Sequence, residues 1–232
     1  MQHLHNFADS RNAGFCVHCG SATPDSREHT PSRVLLDKPY PANLHVPPAC
    51  AECNAATSMD EEYVACLVEC TLHGHADPDR LSRPNVARIL RQKPALAARI
   101  LAARTIDGER TLFAAEMSRV DAVFVKLARA HAAYELNEPQ VGEPPRVQCV
   151  PLVLMTDEQR EEFENPPGTE FWPEVGSRAM QRLVGVGDPL DGAWFVVQRD
   201  RYRFFAGTTG DTVFVRIVLS EYLAGHVEWD QG

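Results

Sequence analysis

Two C-x-x-C pairs, Cys16 with Cys19 and Cys50 with Cys53, are separated by thirty residues in this chain. Four thiolates in two knuckles are the donor set that tetrahedral Zn2+ takes in a closed structural site, which leaves no coordination position for a substrate. Between and just after the knuckles stand Glu28, His29, Asn43 and Asn54, which together bring a carboxylate, an imidazole and two amides close to the metal frame. Residues 15–63 are rich in Cys, His and Pro, so a metal replaces the apolar core there and its binding energy is folding energy.

The rest of the composition narrows the setting. Of 232 residues, 44% are hydrophobic and 24% charged, which excludes an extended rod or a disordered chain. Seven cysteines are an odd number, and the first ten residues have neither a basic start nor an apolar run. The expectation is reduced thiols holding a metal in a cytoplasmic protein rather than a disulfide framework. No apolar run approaches the roughly 18 residues of a membrane span, so no membrane partner is expected.

The net charge of −9 is unevenly spread. Residues 1–79 carry four basic against eleven acidic side chains, residues 80–134 eleven against four, and residues 135–232 eight against seventeen. A basic block between two acidic ones can bind a polyanion locally while the molecule as a whole stays acidic.

The chain divides by pattern into residues 1–79 (core 15–63), a basic helical region 80–136, and a C-terminal accessory or specificity region 146–232, with the Pro- and Glu-rich NEPQVGEPP run before the last. Helices are expected from Glu61 to about Gly74, from Pro84 to Lys93, from Pro94 to Arg104 and from about Glu109 to Leu136, the last carrying Phe113, Met117, Val120, Phe124, Leu127 and Tyr134. Val147 to Met155 reads as a strand and Thr156 to Glu164 as a short acidic helix. Ala193 to Phe205 and Thr212 to Leu219 alternate as strands around the turn GTTGD. The fold class is α+β, with an antiparallel sheet in the C-terminal region.

The segments EHTPSR, PANLHVPPACAECN and DEEY resemble the HNH endonucleases over about a fifth of the chain. The resemblance implies a small ββα-metal, treble-clef-like module on a four-cysteine zinc scaffold. It implies that His29 is the general base activating water, and that Glu28 and Asn54 hold a catalytic Mg2+ or Mn2+. Asn43 would fix the loop after His29. Glu28 stands where many relatives have Asp, and Asn54 where many have His. The implied substrate is nucleic acid, DNA ahead of RNA, and a double-strand break would need a homodimer or two nicks. A zinc-stabilised nucleic-acid- or protein-binding regulator with a vestigial site is the alternative, supported by the acidic balance and by residues 146–232, which show no chemistry; under the nuclease reading that region would receive a ligand or protein activator.

Arg83, Arg88, Arg91, Lys93 and Arg99 are the candidate backbone contacts, since arginine donates bidentately to phosphate, with a solvated helix face as the competing reading. Arg199, Arg201 and Arg203 alternate on what reads as one strand face. Cys66, Cys70, His73 and His75 have the spacing of a second metal site but read better as a helix core face. His18 is expected to face solvent and His45 to be a partly exposed strand residue.

Overall fold

The computed structural model describes residues 14–42, 44–108, 110–166, 190–191 and 194–230. Strand β1 (Ser26–Arg27) and strand β2 (Pro48–Ala49) pair antiparallel, Ser26 opposite Ala49 and Arg27 opposite Pro48. A single bridge from Thr30 to His45 prolongs the pairing. Helix α1 (Ala51–Ala56) starts directly on the second knuckle, with the Cys50 sulfur accepting the Cys53 N–H as its N-cap. Helix α2 (Ser58–His73) ends at Gly74, whose φ of 69° closes the helix in the left-handed conformation that glycine adopts without strain.

Helices α3 (Pro84–Gln92) and α4 (Pro94–Ala102) each begin at proline, where the missing N–H has no partner to lose. The helix expected from about Glu109 to Leu136 forms only in its later part. Strands β3 (Arg104–Asp107) and β4 (Arg110–Phe113) pair instead as a hairpin turning at Gly108, φ 58°. The β-branched Thr105, Ile106 and Thr111 favour that pairing, so Phe113 lies on a strand and helix α5 (Met117–His131) starts later. Beyond His131, α5 widens into one π turn, Ala132–Leu136.

The C-terminal half supplies strand β5 (Arg146–Pro151), helix α6 (Asp157–Glu164) behind a Thr156–Gln159 capping box, and strands β6 (Leu190–Asp191), β7 (Trp194–Gln198), β8 (Tyr202–Thr209), β9 (Thr212–Leu219) and β10 (Leu223–Asp230). They form an antiparallel sheet in the order β5-β10-β9-β8-β7-β6. The expected strand from Ala193 to Phe205 is in fact two, β7 and β8, separated by a turn in which Asp200 takes φ 62°. Arg199 and Arg201 are thus outside strands and do not form one face with Arg203. Strand β10, between β5 and β9, was not anticipated.

One face of the sheet, through Phe204, Ile217 and Val227, packs on α5. The same apolar cluster continues through Tyr63, Val64 and Leu67 of α2 to Leu35 and Leu36 of the segment between the two cysteine pairs. It therefore draws on all three stretches distinguished by composition. The opposite face, with Trp194, Phe205, Phe214 and Val218, is covered by Leu152 and by Phe163 of α6.

Arg83 and Asp37 tie these layers together. The buried Arg83 donates to the carbonyls of Val34 and Leu36 and to Asp37 Oδ1, and Arg201 holds the other Asp37 oxygen. Burial works against the Asp37 charge, but the two guanidiniums outweigh it and keep this carboxyl below its ordinary 3.8.

Helix α5 approaches the sheet so closely at Gly225 that an added Cβ would lie 2.0 Å from the Phe124 ring. Gly225→Ala is expected to destabilise the protein by about 1–3 kcal/mol in denaturant unfolding, the usual cost of overpacking.

Candidate functional site

The four knuckle cysteines converge, their sulfurs all within 4.8 Å of one another. Cys19 Sγ and Cys50 Sγ are 3.9 Å apart. Two sulfurs on one tetrahedral Zn2+ at about 2.3 Å stand about 3.8 Å apart, so the cluster can hold zinc nearly as it is. Burial opposes ionisation of Cys16, but backbone N–H groups of Cys50, His18 and Cys19 outweigh it and bring that thiol to about 6. Burial and the neighbouring thiols push Cys53 up instead. Four sulfurs this close resist joint deprotonation until a cation arrives.

The residues of the implied active site are placed unequally. His29 follows β1 and is half-buried. Its imidazole lies below the ordinary 6.5, first through burial and then through Arg33, with Glu28 opposing. Asn54, on α1, donates through Nδ2 to Ser26 Oγ at 3.0 Å and to the Arg27 carbonyl at 3.3 Å, so the helix is stitched to β1 two residues before His29. Asn43 lies outside the described residues. Glu28, expected as a ligand to a hydrated cation, is instead 2% exposed. Its oxygens are taken by His18 Nε2 at 2.5 Å and by Lys126 Nζ at 2.9 Å. His18 is accordingly buried, contrary to expectation.

Lys126, from α5, also contacts Glu61 at 2.7 Å, and Glu61 accepts from Ser32 Oγ at 2.6 Å. Burial would lower the Lys126 pKa, but the charges of Glu28 and Glu61 prevail and raise it above 10.5.

Sequence reasoning missed a second buried group beside this network. His45, His131 and Glu135, all 3% exposed or less, place donor atoms within 4.8 Å of one another. His45 Nδ1 is 2.7 Å from Glu135 Oε1. The His45 ring stacks on Tyr134 and the His131 ring on Phe204, with centroids 4.2 and 3.7 Å apart. Tyr202 Oη is 2.8 Å from His131 Nε2. His45 is therefore a core residue rather than a strand-surface one. The available signal was His131-x-x-x-Glu135 in an otherwise Ala-rich apolar run; nothing in the sequence connected it to His45.

Of the five expected phosphate contacts, Arg83 is 3% exposed and wholly engaged by the Asp37 loop, so it cannot reach a ligand. Its place between three carbonyl and carboxylate acceptors is structural. Arg88, Arg91, Lys93 and Arg99 are at the surface, paired with Asn85 and Gln92, with Asp79, with Glu62 and with Glu116 respectively. Exposed pairs of this kind are weak and exchange readily. Arg203 is held by Glu164 and Glu221 over the Trp194 ring. Cys66 and Cys70 are buried thiols pushed up to about 12 by burial and do not join a metal-type cluster among the described residues. No family model, curated protein or solved structure matches the chain.

In elemental analysis Cys50→Ser is expected to lose the zinc that the four-cysteine cluster would hold, and to unfold residues 15–63, whereas Cys66→Ser should keep that metal. Lys126→Met leaves two buried carboxylates without their cation and should cost about 3–5 kcal/mol in urea unfolding at neutral pH. The Lys126 pKa is raised on folding, so its contribution is complete below 10.5 and is lost as pH climbs through the folded value. The gap between wild type and variant should therefore close at strongly alkaline pH.

Proposed function

We propose that this chain is a zinc-stabilised phosphodiester hydrolase acting on nucleic acid, DNA before RNA, with an HNH-like ββα site built on β1, β2 and α1. The observation that carries the reading is His29: a half-exposed imidazole following β1, kept below 6.5, beside a helix whose Asn54 is bonded to the same strand. A neutral imidazole at pH 7 can accept a proton from water. The water oxygen forms a bond to phosphorus and its proton passes to His29. The bond from phosphorus to the leaving oxygen breaks, and that oxygen is protonated from solvent. Surface residues Arg88, Arg91, Lys93 and Arg99 supply the cationic groups that exchange their present partners for backbone phosphates.

A Mg2+ or Mn2+ at such a site would neutralise charge on the phosphate oxygens. Glu28 and Asn54 are the donors the sequence offers it. Glu28 carries an ammonium and an imidazole on its two oxygens, so the pair does not fit a hydrated cation in this arrangement. That same observation favours a second reading, a zinc-stabilised nucleic-acid-binding module in which the former acidic ligand has become a core ion pair.

One experiment separates the two. Wild type and His29→Ala are incubated with supercoiled plasmid, single-stranded DNA and RNA, with Mg2+, Mn2+ or EDTA. The hydrolase reading expects cleavage by wild type and a loss of at least about a hundredfold in His29→Ala, the size of a general-base contribution, with zinc content unchanged. Its kcat/KM should fall on acidification only below pH 6.5, because the base is active when neutral and its pKa is lowered. Nucleic-acid binding by both proteins without cleavage under any condition establishes the binding module instead.

A further inference from the structure

We propose that His45, His131 and Glu135 form a second metal site, distinct from the four-cysteine cluster, which takes one divalent transition metal and locks the zinc module onto α5 and the sheet. The donor set is two imidazoles and one carboxylate, a combination suited to Zn2+ and also to Fe2+ or Mn2+. All three residues are inside the protein, His131 and Glu135 completely so. Their donor atoms already lie within 4.8 Å, with one pair at 2.7 Å. Nitrogen and oxygen donors at about 2.1 Å from a tetrahedral ion stand about 3.4 Å apart. The present spread therefore exceeds that of a metal-bound set by no more than about 1.4 Å.

Two further features point the same way. His131 ends α5 and Glu135 sits in the π turn that follows; single π turns recur at functional sites. The histidine rings are already oriented by their surroundings, His45 by stacking on Tyr134, and His131 by stacking on Phe204 and by the Tyr202 hydroxyl. Partners of this type fix the ligands of metal centres. With every ligand buried, the ion has a structural role and is acquired as the chain folds.

The site is tested by metal content, which does not depend on the hydrolase reading. Apo-protein is prepared by chelation and reloaded in turn with Zn2+, Fe2+, Mn2+ and Co2+, then freed of excess ion. At least one of these ions should bind with two equivalents per chain. His131→Gln and Glu135→Gln should each retain one, the cysteine-bound equivalent. In Co2+ titration, one equivalent gives intense thiolate charge-transfer absorption, and the other adds only the weak bands of nitrogen and oxygen ligation. The titration reads both sites in wild type, so it stands even if a variant fails to fold. One equivalent with every ion, all of it on thiolates, overturns the proposal and leaves a hydrogen-bonded polar core. A second equivalent that persists in both folded variants overturns the assignment to these residues.

Discussion

The arrangement depends on burying one ammonium between two carboxylates. Lys126 of α5 contacts Glu28 of the zinc segment and Glu61 of α2, and all three are nearly inaccessible. Taking such charges out of water is costly, and the cost is offset only when every partner is in place. A helix, a strand extension and a second helix must therefore reach their final positions together. The apolar cluster could tolerate a slipped contact between these elements; the ion pairs could not. They act as a register device for the packing of α5 against the zinc module.

That module needs such a device. Its strands are two residues long, and its largest apolar contributions, Leu35 and Leu36, point into a core built by other elements. A metal on the four cysteines would gather the two knuckles but would say nothing about where the module sits. Its position comes from Arg83 reaching into the 34–37 loop, from Asp37 shared between Arg83 and Arg201, and from Glu28 on Lys126. The basic block expected to grip phosphate is thus partly internal wiring. Arginine, with five donors in a rigid fork, can satisfy several loop carbonyls at once, which explains why Arg83 is buried while its neighbours on α3 are exposed.

Elements marked by local chemistry were legible in the sequence. The cysteine knuckles, the prolines opening α3 and α4, the glycine closing α2 and the short acidic run of α6 each act within a few residues. The errors lie where a nonlocal or turn-level effect prevailed. Helical spacing of apolar residues suggested one helix from about 109 to 136, but Gly108 between β-branched residues made a hairpin. Alternation suggested one strand from 193 to 205, but the turn at Asp200 divided it. For the site, sequence could name Glu28 and His29 as neighbours without revealing that they face opposite environments. On extended backbone, consecutive side chains point to opposite sides, so Glu28 enters the core and His29 stays half-exposed.

The same logic explains why the buried histidines gather where they do. In a regular α-helix, His131 and Glu135 would share a face of α5 in contact with the sheet, one above the other. The π turn from Ala132 widens the helix at this point, so Tyr134 stacks on the His45 ring while Glu135 contacts its Nδ1. An extra residue in a helical turn weakens its own hydrogen-bond ladder, so it persists only where surrounding contacts compensate for it. Here those contacts come from the zinc segment through His45 and from the sheet through Tyr202 and Phe204. The helix defect is therefore the point at which the three layers meet, and the polar groups concentrated there are a consequence of that junction.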